Sequence, residues 1–327
     1  MVRTVSIVVL LSLATLALGQ VARAEGHGSE AALDPIMGEF QGTLALSGGQ
    51  SVKAEAKVIA DENSRYRVVV LYTESSSKNA RLELDGLGAN GQVAVKKGDW
   101  TGQVTKDVLT LSSSRGGKAE MKRVERSSPT LGQKPPAGAV VLLAFEPGQP
   151  GTLDNWADKR WGCEPDGVIL TKGADNKSTK EFGNFKAHVE FKVPFMPAAR
   201  GQGRGNSGVY LHGRYEIQVL DSFGLTTNDG ECGAIYGQKA PDVNSSLPPG
   251  QWQTYDIDFK APQFGADGKQ TRGALITVVQ NGVKIQDAVE TKNVTGGAWG
   301  NPAKTGPLRL QFHSNPMRFR NIWVVEE

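Results

Sequence analysis

The feature that most constrains this chain is its rhythm. Short stretches of five to ten residues alternate polar and apolar side chains, and Gly, Asn, Ser or Pro interrupts each before a helix-length apolar stripe can build. Ser51-Val52-Lys53-Ala54-Glu55-Ala56-Lys57-Val58 shows the period-two pattern of a half-buried strand. With 40 glycines and 16 prolines spread over 327 residues, the chain has punctuation enough for strands and turns throughout. No heptad pattern persists, which excludes a long coiled coil. The hydrophobic fraction of 39% is too high for a disordered chain. The expected class is all-β, and the length suggests two domains.

The first 24 residues read as a cleavable signal peptide. Arg3 supplies the positive start, Val5 to Leu18 is apolar but too short to span a bilayer, and Ala22-Arg23-Ala24 is a small-x-small cleavage site. The expectation is export to the periplasm or beyond, with cleavage after Ala24 and no membrane span. Removing Arg3 and Arg23 takes the formal charge from +3 to +1. No dense Lys/Arg stripe remains, so nothing points to nucleic acid as a partner. In an oxidising compartment Cys163 and Cys232 are open to pairing as one long-loop disulfide, and their spacing suggests no zinc site.

Residues 34–126 read as a small antiparallel β-domain, a sheet or barrel. Candidate strands are Ser51–Val58, Tyr66–Tyr72, Arg81–Leu84, Gln92–Val95, Val108–Leu111 and Lys118–Val124. Turns are marked by Ser47-Gly48-Gly49, Asp85-Gly86, Asn90-Gly91 and Arg115-Gly116-Gly117. Residues 127–139 form a Pro/Ser/Gly stretch of linker composition. From 140 to 327 turn signals recur every ten to fifteen residues, favouring a β-sandwich or jelly roll over βαβ units. Gly203-Arg204-Gly205-Asn206-Ser207-Gly208 fits the dinucleotide fingerprint, but Val209-Tyr210-Leu211-His212 after it is strand-like. The fingerprint needs a helix N-terminus there, so no nucleotide cofactor is expected.

Function enters through polar faces on apolar strands. Alternation puts His188, Glu190 and Lys192 opposite Ala187, Val189 and Phe191. It likewise sets Glu216 and Gln218 opposite Tyr215, Ile217 and Val219, and Arg309, Gln311 and His313 opposite Leu308, Leu310 and Phe312. Tyr210 and His212 share a face. Ordinary solvated strands carry Lys, Ser and Thr; His, Glu, Gln, Arg and Tyr suit a binding or catalytic groove. Glu216-Ile217-Gln218-Val219-Leu220-Asp221 is similar to the E-x-D-x-x-E strand of retaining glucanases of the lichenase–laminarinase type, whose carboxyls lie about 5–5.5 Å apart. Here Gln218 replaces the middle acid and the shorter Asp221 the last, which argues against that mechanism.

Eight motifs in order carry a closer likeness. They are Phe182-Gly183-Asn184-Phe185 with His188-x-Glu190-Phe191, Gly205-Asn206-Ser207-Gly208-Val209-Tyr210, and Arg214-Tyr215-Glu216-Ile217-Gln218-Val219-Leu220-Asp221-Ser222. Then come Cys232-Gly233-Ala234-Ile235-Tyr236-Gly237, Pro249-Gly250-Gln251-Trp252-Gln253-Thr254-Tyr255-Asp256 and Gln280-Asn281-Gly282-Val283. Leu308-Arg309-Leu310-Gln311-x-His313 and Phe319-Arg320-Asn321-Ile322-Trp323 complete the set. From about Val140 onward the chain resembles the 3-keto-disaccharide hydrolase family, formerly a domain of unknown function. The resemblance implies a concanavalin-like, glucanase-like β-sandwich acting on 3-keto-glycosides that a separate sugar 3-dehydrogenase has oxidised. A C3 ketone acidifies the C2 proton, so a modest base can start elimination of the anomeric group, followed by hydration. By strand face, Glu216, Glu190, His188 and His313 are the candidates for proton transfer or metal binding, and Asn206, Tyr210, Arg214, Gln218, Tyr236, Arg309 and Gln311 for holding hydroxyls. A divalent ion on the C3 oxygen would find oxygen and nitrogen ligands in Glu190, Glu216 and His313. Two alternatives stay open: a non-catalytic carbohydrate-binding sandwich, and a glucanase using Glu216 with Asp221.

Overall fold

The computed structural model describes residues 30–74, 79–164 and 166–327, and the expected signal peptide lies outside them. The chain is almost entirely β. Eight strands, β1 (Gly38–Ala45), β2 (Ser51–Ala60), β3 (Arg65–Thr73), β4 (Asn79–Ala89), β5 (Gln92–Lys97), β6 (Trp100–Val104), β7 (Val108–Ser113) and β8 (Lys118–Val124), pair each with the next. Strand β8 returns to β1, with Leu44 opposite Ala119, and closes a barrel. Closure leaves no free edge and buries Phe40, Leu44, Val58, Val68, Val93, Leu109 and Met121 inside. The Asn90-Gly91 turn joins β4 to β5 with φ of 52° and 75°, the left-handed pair a two-residue hairpin requires. Asp85-Gly86 is no turn: it lies within β4. Gly86 is needed there because a Cβ would come within 2.7 Å of Val93 and 3.0 Å of Val95 in the barrel wall.

The remaining strands build two antiparallel sheets over one core. They are β9 (Val140–Leu143), β10 (Gly162–Glu164), β11 (Val168–Leu170), β12 (Asn176–Phe182), β13 (Phe185–Lys192), β14 (Ser207–Leu211) and β15 (Tyr215–Val219). After them come β16 (Trp252–Lys260), β17 (Gln263–Phe264), β18 (Gln270–Arg272), β19 (Leu275–Gln280), β20 (Val283–Glu290), β21 (Gly306–Leu310) and β22 (Arg318–Glu326). The larger sheet runs β10-β11-β22-β13-β16-β19-β20, with β9 also on β22; the smaller runs β12-β21-β14-β15. Strands β17 and β18 form a separate ribbon. Ala187, Val189 and Phe191 of the larger sheet and Val209, Leu211, Ile217, Val219, Leu308 and Leu310 of the smaller share the core. Their alternate neighbours therefore point away from it, on two opposite outer faces. After Gly201–Gly203, a single 3₁₀ turn, the chain enters strand β14, so the glycine-rich segment holds no helix N-terminus.

The stretch from residue 127 does not hang between the two units. Ser128 hydrogen-bonds Thr254, Thr130 donates to Asp256, and the Gly132 amide donates to Glu190. It is laid along the outer face of the larger sheet. The cysteines stay apart and free: Cys163 is exposed on β10, while Cys232 is buried against the Tyr255 hydroxyl.

Candidate active site

The outer face of the smaller sheet carries the site. Register sets Tyr210 of β14 directly between Glu216 of β15 and Arg309 of β21. The Tyr210 hydroxyl lies 2.8 Å from Glu216 Oε2 and 3.0 Å from the Gly296 carbonyl, and Gln311 Nε2 lies 3.3 Å from it. The Arg309 guanidinium stacks on the Tyr210 ring at 3.5 Å and on Trp299 at 4.3 Å, with Asp175 3.2 Å from its Nε. Glu216, Tyr210 and Arg309 are all at most 3% exposed.

A missing side chain shapes the surface. Gly208 faces Gln218 across the β14–β15 pair, and its carbonyl accepts the Gln311 amide on the other side. A Cβ at Gly208 would overlap Glu216 Oε1 and come within 2.9 Å of the Tyr210 ring. Glycine thus leaves room that the Glu216 carboxylate and the Tyr210 ring fill, in a polar cluster completed by Gln218 and Gln311. Three amide oxygens around it, Asn206 Oδ1, Gln218 Oε1 and Gln311 Oε1, are buried without a hydrogen-bond partner. Buried acceptors are rarely left so. A ligand that brings donors, as a sugar brings hydroxyls, is one that these acceptors could hold.

Electrostatics single out Glu216. Burial pushes its pKa from 4.5 up to about 7, against the opposing effects of the Tyr210 hydrogen bond and the Arg309 charge. Among the described residues no protein donor reaches its Oε1, the oxygen nearer Gly208. Burial, and then the Glu216 charge, drive the Tyr210 phenol far above its ordinary value, so it stays a proton donor. Burial lowers the pKa of Arg309, though a guanidinium keeps its charge.

The site gathers six of the expected residues: Asn206, Tyr210, Glu216, Gln218, Arg309 and Gln311. Tyr236 stands at the rim, its ring within about 4 Å of where side chains at Gly230 and Gly296 would begin. Arg214 is turned to the loop beyond, donating to the carbonyls of His212, Asn301 and Thr305. His313 is exposed on the segment after β21.

Glu190 and His188 are elsewhere, on the outer face of the larger sheet, and both are fully buried. His188 bridges Asp256 (2.6 Å) and Glu190 (3.4 Å) and stacks on Trp323. Glu190 also takes hydrogen bonds from Arg320, Asn321 and Gly132. Glu190, Glu216 and His313 therefore cannot share one ion, and among the described residues no three His, Cys, Asp or Glu side chains are placed to hold a metal. The expected metal set does not fit, and no step is routed through it. His212 departs too: its φ of 54° breaks the alternation after β14, and its ring packs on Phe185 and Phe259 in the core. Asp221 lies beyond the end of β15, tied to Arg204 at 3.3 Å, and so is no partner carboxylate for Glu216.

Sequence reasoning missed Asp175, Thr295 and Trp299. Thr295 Oγ1 accepts the Glu216 amide and donates to the Arg214 carbonyl, and Trp299, 44% exposed, roofs Arg309. Thr295 and Trp299 sit on one loop with Gly297, whose φ of 70° and closeness to the Tyr210 hydroxyl admit no side chain. Only the exposed tryptophan in a glycine-rich segment could have signalled that loop.

A buried carboxyl of raised pKa, a buried arginine and spare amide oxygens, gathered on one face of a sheet in an all-β chain, suit a polar ligand such as a sugar. Residues 144–325 match the 3-keto-alpha-glucoside-1,2-lyase-like domain, and the chain belongs to that family. It is thereby glycosidase-like. A crystal structure from Parabacteroides distasonis ATCC 8503, described as a candidate glycosyl hydrolase, is 34% identical with a TM-score of 0.52, covering 59% of this chain and 85% of that one. A second from the same organism, described in the same words, is 19% identical with a TM-score of 0.43, covering 58% and 94%. No curated protein matches.

Proposed function

We propose that this is an exported enzyme that cleaves 3-keto-glycosides, on a concanavalin-like, glucanase-like jelly-roll sandwich. The observation that carries the proposal is Glu216: a buried carboxyl with a pKa of about 7, set beside amide oxygens that have no partner. Family membership supplies the substrate class.

In the carboxylate form Glu216 removes the acidified C2 proton, and the electrons move into the C2–C3 enolate. Arg309, stacked beneath Tyr210, gives that developing charge a fixed positive neighbour. Collapse of the enolate expels the anomeric oxygen, and Glu216 returns its proton to that oxygen as it leaves. A pKa near neutrality suits a group that must both take and give a proton. The products are an unsaturated 3-keto sugar and a free alcohol; water adds across the double bond to complete the hydrolysis. Tyr210, donating to Oε2, fixes the carboxyl so that Oε1 faces the substrate. Asn206, Gln218 and Gln311 accept hydroxyls, and Tyr236 and Trp299 offer ring faces at the rim. Such a substrate requires an upstream enzyme that oxidises C3.

The test is mass-spectrometric turnover of 3-keto-trehalose or a 3-keto-glucoside, with EDTA and with added divalent ions, beside Glu216→Gln. Cleavage lost in the variant supports the assignment. Cleavage retained in the variant moves the chemistry off Glu216. Binding of unoxidised oligosaccharide with no product under any condition favours the non-catalytic module instead.

A further inference from the structure

The barrel lies outside the matched family region, yet one set of its contacts falls on the segment that leads into β14. Asp61, just past β2, holds Arg67 of its own unit at 3.0 Å and reaches across to Arg200 at 3.4 Å and Arg204 at 3.8 Å. The next residue, Glu62, donates its amide to the Pro197 carbonyl. Arg204 is 3% exposed, and its Nε and Nη2 also donate to the Asp221 carbonyl, two residues past β15. A guanidinium is thus wedged between the barrel and the strand that carries Glu216.

The segment this wedge holds is Gly201-Gln202-Gly203-Arg204-Gly205. Gly201 and Gly205 have φ of 51° and 61°, and three glycines in five residues give the turn little rigidity of its own. Yet Gln202 has an exacting task. Its Oε1 accepts from Gln218 Nε2 at 2.9 Å and from Asn206 Nδ2 at 3.0 Å, its carbonyl accepts from the same Asn206 amide, and its Nε2 donates to the Gly230 carbonyl. By taking the NH₂ groups of Gln218 and Asn206, Gln202 decides that their oxygens are what the site presents. Without Asp61, Arg67 and Arg204 would be left with Asp221 as their nearby carboxylate, and their repulsion would push the turn outward.

We propose that Asp61 and Arg204 are positioning residues of the active site: through them the barrel holds Gln202, which orients Gln218 and Asn206 toward the sugar. The barrel is then a working part of the site. This rests on the reading that the site binds sugar hydroxyls, so the test separates the two ideas.

Hydrogen exchange of the whole protein needs no substrate. In Asp61→Asn, amides of residues 200–206 should exchange about tenfold faster or more, while the barrel strands keep their protection. Arg204→Gln, which leaves the barrel intact, should do the same, and the double variant should do no more than either alone. Asp61→Glu should restore much of the protection. Arg126→Gln breaks a different bridge, from Glu39 to the Ser245 and Ser246 carbonyls, and should leave residues 200–206 unchanged. On 3-keto-glucoside, Asp61→Asn should raise KM on the order of 10–100-fold with kcat within about twofold, because hydroxyl-holding groups are lost and Glu216 is not. Unchanged exchange in both single variants overturns the proposal, and so does faster exchange with unchanged KM. A wild-type protein without turnover overturns the proposed function, and exchange still decides whether the barrel holds the turn.

Discussion

Replacing Glu216 by Gln tests the site through stability, independently of any substrate. The folded protein holds Glu216 at a pKa of about 7 against an ordinary 4.5. The native state therefore keeps a proton that the unfolded chain has released between those values, and stability falls as pH rises through that window. Above pH 7 the cost of a buried carboxylate is constant, and the displacement corresponds to about 3 kcal/mol. Gln keeps the shape and an oxygen for the Tyr210 hydroxyl while never ionising. Urea denaturation at pH 8 should find Glu216→Gln more stable than wild type by about 2–3 kcal/mol; at pH 4.5 the gap should shrink to under about 1 kcal/mol. An equal difference at the two pH values, or a loss of stability at pH 8, would refute the claim that burial raises this carboxyl.

Other outcomes follow from the geometry. Gly208→Ala should abolish turnover and cost about 1–3 kcal/mol in denaturation, because its methyl overlaps the Glu216 carboxylate. Glu190→Gln should destabilise by about 3–5 kcal/mol in the same assay, since it leaves Arg320 without its buried anion and His188 with Asp256 alone. Burial works against the charged form of His188, but Asp256 and Glu190 outweigh it and raise its pKa above 6.5. The stability it adds is present below 6.5 and is lost as pH climbs through the raised value, a loss that a pH series of melts should show in wild type and not in His188→Gln. A thiol reagent should modify Cys163 in the native protein and Cys232 only after unfolding, and a reductant should leave the melting temperature unchanged.

Much of the site was legible from alternation alone. Alternation puts Tyr210, Glu216, Gln218, Arg309 and Gln311 on outward strand faces, and in the fold they share one. The same rule failed for Glu190 because it tells which side of a strand a residue takes, not which of the two outer faces of a two-sheet stack that side becomes. Sheet membership is set by long-range pairing, β13 with β16 and β22, that no local pattern reveals. The role of Gly208 is hidden for a like reason: it depends on what stands across the register. Asp85-Gly86 misled because glycine serves a turn and a crowded strand equally well, and His212 because one left-handed residue resets the count.

The proline-rich stretch after the barrel has a consequence for how the chain meets proteases. Segments of this composition between folded units are ordinarily the first to be nicked. Here residues 128–133 are stitched by hydrogen bonds to the sheet and lie over an aspartate, a histidine and a glutamate. Cutting there would mean first peeling the strap away and letting water onto those charges. A digest that spares this stretch and yields the intact chain is what such a clasp implies. A fragment trimmed to residue 140 would begin life with an open wound on its largest sheet.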